Sequence, residues 1–271
     1  MTEIDGRPDQ LHARTTRRWS TLIGLVVGLA GVAFVVRALV RNWDEVSAAL
    51  DGARPTLLLL ALGLGGLAMM GIGVAWHTSL RLLGSGLPIL SALRGYFVGQ
   101  LGKYVPGGIW AIMGRGEWAR SAGVRGAVAY TSVMLSMGSA YLAALVLVAV
   151  LVPLSGLFDS GADVRFALVL LLLPLGFLLI HPKVFGFIIK TFGRVGARPD
   201  AIVVPTWGAS TAVVLQQVPS WLLIGGVSLT ISAALGDTGD AVNIISATAI
   251  AWIVGFLVLP TPGGIGVREA A

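Results

Sequence analysis

Long apolar runs separated by short charged segments dominate the pattern of this chain. Runs close to the about 20 residues that a membrane helix needs predict spanning helices. The predicted spans are residues 21–36, 57–80, 126–152, 164–180, 206–235 and 241–259. The first run is longer than the apolar core of a signal peptide and no small-residue cleavage site follows it, which favours a retained helix. The pattern therefore predicts an all-α polytopic membrane protein with about six spanning helices.

Segment 89–113 departs from this pattern. It is apolar enough to enter a bilayer, yet it contains Arg94, Lys103 and a proline–glycine–glycine turn. Proline removes a backbone donor, and glycine adopts conformations that are closed to other residues. Within a membrane such a break is tolerated where protein or a water-filled cavity surrounds it. The segment therefore predicts a re-entrant hairpin or two half-helices.

The same turn occurs twice, each time with an arginine and a glutamate downstream. The two copies comprise Pro106, Gly107, Gly108, Arg115 and Glu117, and Pro262, Gly263, Gly264, Arg268 and Glu269. Two helix breaks with the same sequence predict an internal structural repeat and a binding site near the breaks. The alternative is a capped helix end at the headgroup level, where arginine extends toward water. The arginine follows the proline by nine residues in one copy and by six in the other, so the copies can differ in role.

The chemistry of these residues favours a phosphate-bearing lipid headgroup as the ligand. Half-helix N-termini expose backbone N–H groups to anions, and arginine has a planar fork that matches phosphate. Lys103 would add a further positive charge. Glu117 and Glu269 would either hold the arginines in place or bind a cationic headgroup.

Other polar residues in the predicted spans have two interpretations each. Gln216 and Gln217 line a polar path or form hydrogen bonds between helices. The polar residues at 130–141 face a cavity or mark close helix packing. Four tryptophans are expected to be interfacial anchors, namely Trp110, Trp118, Trp207 and Trp221.

Composition excludes several classes of protein. Of the 271 residues 56% are hydrophobic and 12% are charged, against about 25% charged in soluble domains. The absence of cysteine excludes disulfides and thiol catalysis, and three scattered histidines predict no zinc site. No nucleophile elbow or phosphate-binding loop is present, so we expect no enzyme activity, metal or cofactor. A net charge of +6 fits basic loops beside anionic lipid, and we expect no nucleic-acid partner.

The placement of charge predicts the orientation in the membrane. Basic segments at 7–18, 81–125 and 182–198 alternate with mixed or acidic segments at 41–54, 153–163 and 236–240. The positive-inside rule therefore places the N-terminus and both turns on the cytoplasmic side of a cell membrane. This alternation requires segment 89–113 to enter and leave on the same face.

Two longer motifs resemble a known family. LGKYVPGGIW at residues 101–110, followed by Gly114-Arg115 and 122–124, resembles the membrane domain of the lysylphosphatidylglycerol synthase family, which is also described as flippase-like. PTPGGIGVREA at 260–270 resembles that family's C-terminal motif. The resemblance implies a flippase-like transmembrane domain over 20–271, and the polar, basic residues 1–19 are expected to form a cytoplasmic tail. It also implies that the protein binds and moves, or accommodates, an anionic or aminoacylated phospholipid or a related lipid-linked headgroup across the membrane.

Two departures from the family limit what the resemblance implies. The aminoacyl-transferring domain of true synthases is missing, so synthase activity is not expected. The chain ends just after the second motif, where family members continue through further hydrophobic helices, so a truncation is expected. The second hypothesis is a non-transporting membrane scaffold or accessory subunit of an envelope lipid or glycan synthesis enzyme. A membrane enzyme or further copies of the chain are the expected protein partners. A small-solute carrier ranks below both, because it would need more intramembrane carboxylates.

Overall fold

The computed structural model describes residues 36–37, 39–104, 110–154, 164–193, 203–237 and 239–257. Helices and short 3₁₀ turns make up the secondary structure of this part of the chain, and no strand occurs in it. The helices are α1 (Trp43–Asp51), α2 (Pro55–Leu82), α3 (Ile89–Leu101), α4 (Trp110–Ser121), α5 (Gly126–Leu151), α6 (Val164–Leu179), α7 (Pro182–Gly193), α8 (Trp207–Ala234) and α9 (Ala241–Leu257).

The prediction of an all-α polytopic membrane protein is confirmed. Among the described residues, α2, α8 and α5 with its 3₁₀ extension are long and apolar enough to cross a membrane. The pair α6 and α7 adds a fourth span if it is counted as one broken helix, and α9 is a shorter apolar helix. Large apolar side chains such as Leu59 and Leu62 point outward, as they do in proteins surrounded by lipid. The predicted first span, 21–36, lies almost wholly outside the described residues.

Helices α2 and α8 run antiparallel and stay in contact along their whole lengths. The Arg54 backbone N–H donates to the Ala234 carbonyl at 3.0 Å, which joins the start of α2 to the end of α8. Nearer the middle, Gly71 of α2 faces Ser220 of α8. Glycine at such a position lets two helix backbones approach closely. This pair and α5, which packs against both helices, form the centre of the bundle.

Two glycine turns meet at one end of the bundle. Gly84 after α2 and Gly123 after α4 have φ of 83° and 90°, the left-handed conformation that ends a helix in a Schellman motif. The α2–α3 and α4–α5 connections line one cavity of about 250 Å³. We call this end the basic end, because it carries Arg81, Arg120 and Arg125.

Helices α3 and α4 form an antiparallel hairpin that enters and leaves at the basic end. Two glycines of α3 and one in the following 3₁₀ turn face α4: Gly95 contacts Trp118, Gly99 contacts Arg115, and Gly102 lies against Trp110. The helices have 13 and 12 residues, which at 1.5 Å per residue gives about 20 and 18 Å. The hydrocarbon core is about 30 Å thick. The arms are therefore too short to cross it, and the expectation of a re-entrant hairpin agrees with this geometry.

Helix α7 is amphipathic and turns sharply away from α6. The two helix axes meet at 65°, and Pro174 lies within α6 before this bend. Phe185 and Ile189 are buried in the same core cluster as Leu83 at the end of α2. Lys183, Phe187 and Lys190 are exposed on α7. An apolar face against the bundle and exposed lysines are typical of a helix at the membrane interface.

Candidate functional site

Arg115 of α4 lies inside the bundle with only 5% of its surface exposed. Its Nε donates to the Ala111 carbonyl one turn earlier, at 3.2 Å. Its guanidinium carbon lies 5.6 Å from the centre of the Tyr96 ring, in the geometry of a cation–π contact. Tyr141 of α5 also lies near this side chain. The side chain is thus enclosed by the hairpin and by the long helix α5.

Among the described residues, Arg115 has no carboxylate within ion-pair distance. Only one of its five N–H donors is used by these residues, in the bond to Ala111. A buried charge without a partner of opposite sign is costly in a protein interior, and more so at membrane depth. An anionic group would satisfy the unused guanidinium donors.

Gly99 of α3 gives Arg115 its space. A Cβ at this position would collide with the Arg115 Cγ and would lie 3.1 Å from the Arg115 backbone nitrogen. Any larger side chain would push α4 away from α3 or force the arginine to turn. The glycines of α3 therefore position the arginine as well as closing the hairpin.

Tyr96 and Gln100 complete the surroundings of Arg115. Tyr96 is 1% exposed, and its hydroxyl donates to the Met69 sulfur of α2 at 3.7 Å. The Gln100 amide donates to the same hydroxyl. Sequence reasoning missed both residues. Their i, i+4 spacing on one face of the unusual segment, beside Gly95 and Gly99, is a signal that would have found them.

Glu117 lies on the opposite face of α4 and does not contact Arg115. Its carboxylate accepts two hydrogen bonds from Arg120, at 2.9 and 2.6 Å, and one from Tyr130 at 3.3 Å. The expectation that Glu117 holds Arg115 in place is therefore wrong, and the alternative, binding of a cationic headgroup, stays a prediction. Residues two apart on a helix point in nearly opposite directions, so one turns inward and the other outward.

The remaining predicted site residues fall into two groups. Lys103 is half-buried in the 3₁₀ turn after α3. The prolines and glycines of both turns and the downstream pair of the second copy lie outside the described residues. These are Pro106, Gly107, Gly108, Pro262, Gly263, Gly264, Arg268 and Glu269.

The two glutamines of α8 point to different surroundings. Gln216 is exposed on the outside of the bundle, whereas Gln217 is fully buried and its Nε2 donates to the Ser136 carbonyl at 3.1 Å. Gln217 therefore forms a hydrogen bond between helices, the second of the two interpretations given for these glutamines. Trp221, one turn further on, is 4% exposed and donates to the Ala140 carbonyl at 2.7 Å. Its expected role as an interfacial anchor is wrong, because the indole N–H finds a partner inside the bundle.

A bundle of long apolar helices with a buried arginine on a re-entrant hairpin defines a polytopic α-helical membrane protein with an interior polar site. More specifically, the chain belongs to the family described as the lysylphosphatidylglycerol synthase TM region, whose model matches residues 21–271. This membership relates the chain to lipid modification or lipid flipping. No curated protein and no solved structure matches the chain.

Proposed function

We propose that this protein binds the phosphate of an anionic or aminoacylated phospholipid at Arg115 and lets the headgroup cross the membrane. The observation that carries the proposal is the buried Arg115 guanidinium, which has no carboxylate partner among the described residues. A phosphate would occupy its free donors in a bidentate geometry. Family membership supports a lipid as the source of that phosphate.

The proposed role is binding and passage, without a covalent step. The hairpin brings Arg115 about 9 Å inward from the end of α4, because six residues separate it from Ser121. A headgroup held there has left the interface but has not crossed the membrane. Lys103, at the far end of α3, would give the phosphate a second positive charge deeper in the bundle. Arg268 and the second turn would serve the same headgroup from the other half of the predicted repeat.

The test compares two arginines of one helix. Full-length protein is reconstituted in vesicles, and the transbilayer movement of fluorescent phosphatidylglycerol and phosphatidylcholine is measured. Arg115→Gln removes the proposed phosphate ligand and should slow phosphatidylglycerol movement by about 10- to 100-fold, the size of a lost charge-assisted hydrogen bond. Arg120→Gln removes an exposed arginine that pairs with Glu117, and this matched control should keep the wild-type rate.

Two further measurements decide between the hypotheses. Arg115→Lys should be intermediate, because a lysine keeps the charge but loses the fork. Equal rates for Arg115→Gln and Arg120→Gln would contradict the assignment of Arg115. Wild-type protein that moves neither lipid, and that co-purifies with a membrane enzyme, would instead favour the accessory-subunit hypothesis.

A further inference from the structure

Six buried side-chain oxygens have no hydrogen-bond partner among the described residues, and all of them lie on α5, α8 or α9. They are Ser136 Oγ, Ser139 Oγ, Ser210 Oγ, Gln217 Oε1, Asn243 Oδ1 and Ser246 Oγ. Buried polar atoms in folded proteins nearly always have a partner, either in the protein or in ordered water. The three helices that carry these oxygens pack against one another. We call the interface lined by these six residues the polar seam.

Two hydrogen bonds fix the centre of the polar seam. Gln217 Nε2 donates to the Ser136 carbonyl, and Trp221 Nε1 donates to the Ala140 carbonyl, with the same separation along the chain in both pairs. Helix α8 therefore runs parallel to α5 here. Since Oε1 and Nε2 belong to one planar amide, Gln217 Oε1 also lies beside α5. Ser139 follows Ser136 on the same face of α5, less than one turn away.

This centre is deep within the membrane. Ser136 lies ten residues after the start of α5, and Gln217 lies ten residues after the start of α8. At 1.5 Å per residue both are about 15 Å from the basic end, half the thickness of the hydrocarbon core. Lipid tails cannot supply hydrogen bonds to these atoms. Whatever satisfies them must enter the bundle itself.

The chemistry of the seam selects a small neutral ligand. Gln217 Oε1 can only accept a hydrogen bond, whereas serine hydroxyls both donate and accept. None of the six residues is charged, so an ion would find no counter-charge among them. We propose that the polar seam binds ordered water, which bridges Gln217 Oε1 to the hydroxyls of Ser136 and Ser139. The site is separate from Arg115, and its hydration does not depend on the proposed transport.

Hydroxyl-radical footprinting of the full-length protein in lipid nanodiscs tests this proposal. Radicals generated by X-rays from bound water modify the side chains beside that water, while dry interiors stay unmodified. Trp221 is 4% exposed and lies one turn from Gln217 on α8. Trp76 is fully buried and donates to Ser132 Oγ, which in turn donates to the Ala129 carbonyl. We expect Trp221 to be modified several-fold more than Trp76, and equal modification of the two would overturn the proposal.

A pair of neighbouring variants localises the water. Gln217→Leu removes the buried amide and should reduce Trp221 modification several-fold. Gln216→Leu changes the exposed neighbour and should leave Trp221 modification at the wild-type level. If Gln217→Leu does not fold, Ser139→Ala removes one hydroxyl of the same cluster and should also lower the modification. Unchanged modification in a folded Gln217→Leu or Ser139→Ala variant would contradict water at this place.

Discussion

At the scale of single residues, Gly99 decides whether the hairpin can hold Arg115. A Cβ there would meet the Arg115 backbone nitrogen at 3.1 Å and would overlap its Cγ. Gly99→Ala should therefore destabilise the protein by about 1–3 kcal/mol, the usual effect of overpacking a tight contact. Thermal unfolding in detergent measures the loss. Anionic-lipid movement should fall in the same variant, because the guanidinium is displaced.

Gly63 of α2 provides the matched control for this substitution. It is also a helical glycine, but it is exposed and a Cβ there would meet nothing within 4 Å. Gly63→Ala should leave the unfolding temperature unchanged, or stabilise the helix by up to about 1 kcal/mol. If both alanine variants unfold at the wild-type temperature, α3 and α4 are not packed as closely as the structure indicates.

The sequence could not reveal which side chains surround Arg115. The proline–glycine motif pointed to Arg115 as a site residue, and the structure finds it buried. The enclosing Tyr96 and Gln100 were missed, because their role depends on how closely α3 and α4 approach. Glu117 was misassigned to Arg115, although their spacing on a helix already separates the two side chains.

At the scale of elements, the hairpin predicts that both of its connections face the same side of the membrane. The α2–α3 and α4–α5 connections line one cavity at the basic end. The chain contains no cysteine, so a maleimide labels only the cysteine that is introduced. Gly86→Cys and Ser121→Cys, both exposed, should react with an impermeant maleimide from the same side. Labelling from opposite sides would show that α3 and α4 together cross the membrane.

Helix α7 yields a second prediction at this scale. Its apolar residues Phe185 and Ile189 pack on the bundle while Lys183 and Lys190 stay exposed, so the helix should lie along the interface. A spin label at Phe187→Cys should report a depth of about 5–10 Å, which is typical of interfacial helices. A label at Leu171→Cys, an exposed position on α6, should lie deeper in the hydrocarbon. If the label at position 187 lies as deep as the label at position 171, then α7 is not interfacial, and α6 and α7 form one broken span.

At the scale of the whole molecule, the apolar runs predicted where the long helices begin and end, but not which helices pack against each other. Predicted spans 57–80 and 206–235 correspond to α2 and α8, with ends within two residues. Hydrophobicity fixes such lengths because a bilayer has a fixed thickness. The antiparallel pairing of α2 with α8 depends on glycines meeting distant residues, as Gly71 meets Ser220. Nothing in a periodic apolar pattern specifies such a partner, so the centre of the bundle could not be derived.

The charges at the two ends of the bundle predict its orientation in the membrane. The basic end carries Arg81, Arg120 and Arg125, and the opposite end carries the mixed and acidic connections near Gly52 and Asp240. The positive-inside rule then places the basic end in the cytoplasm. In intact cells an impermeant maleimide should label Gly52→Cys at once, but Gly86→Cys only after permeabilisation. The reverse pattern would place Arg115 within reach of the outer surface, and headgroups would then enter the site from outside.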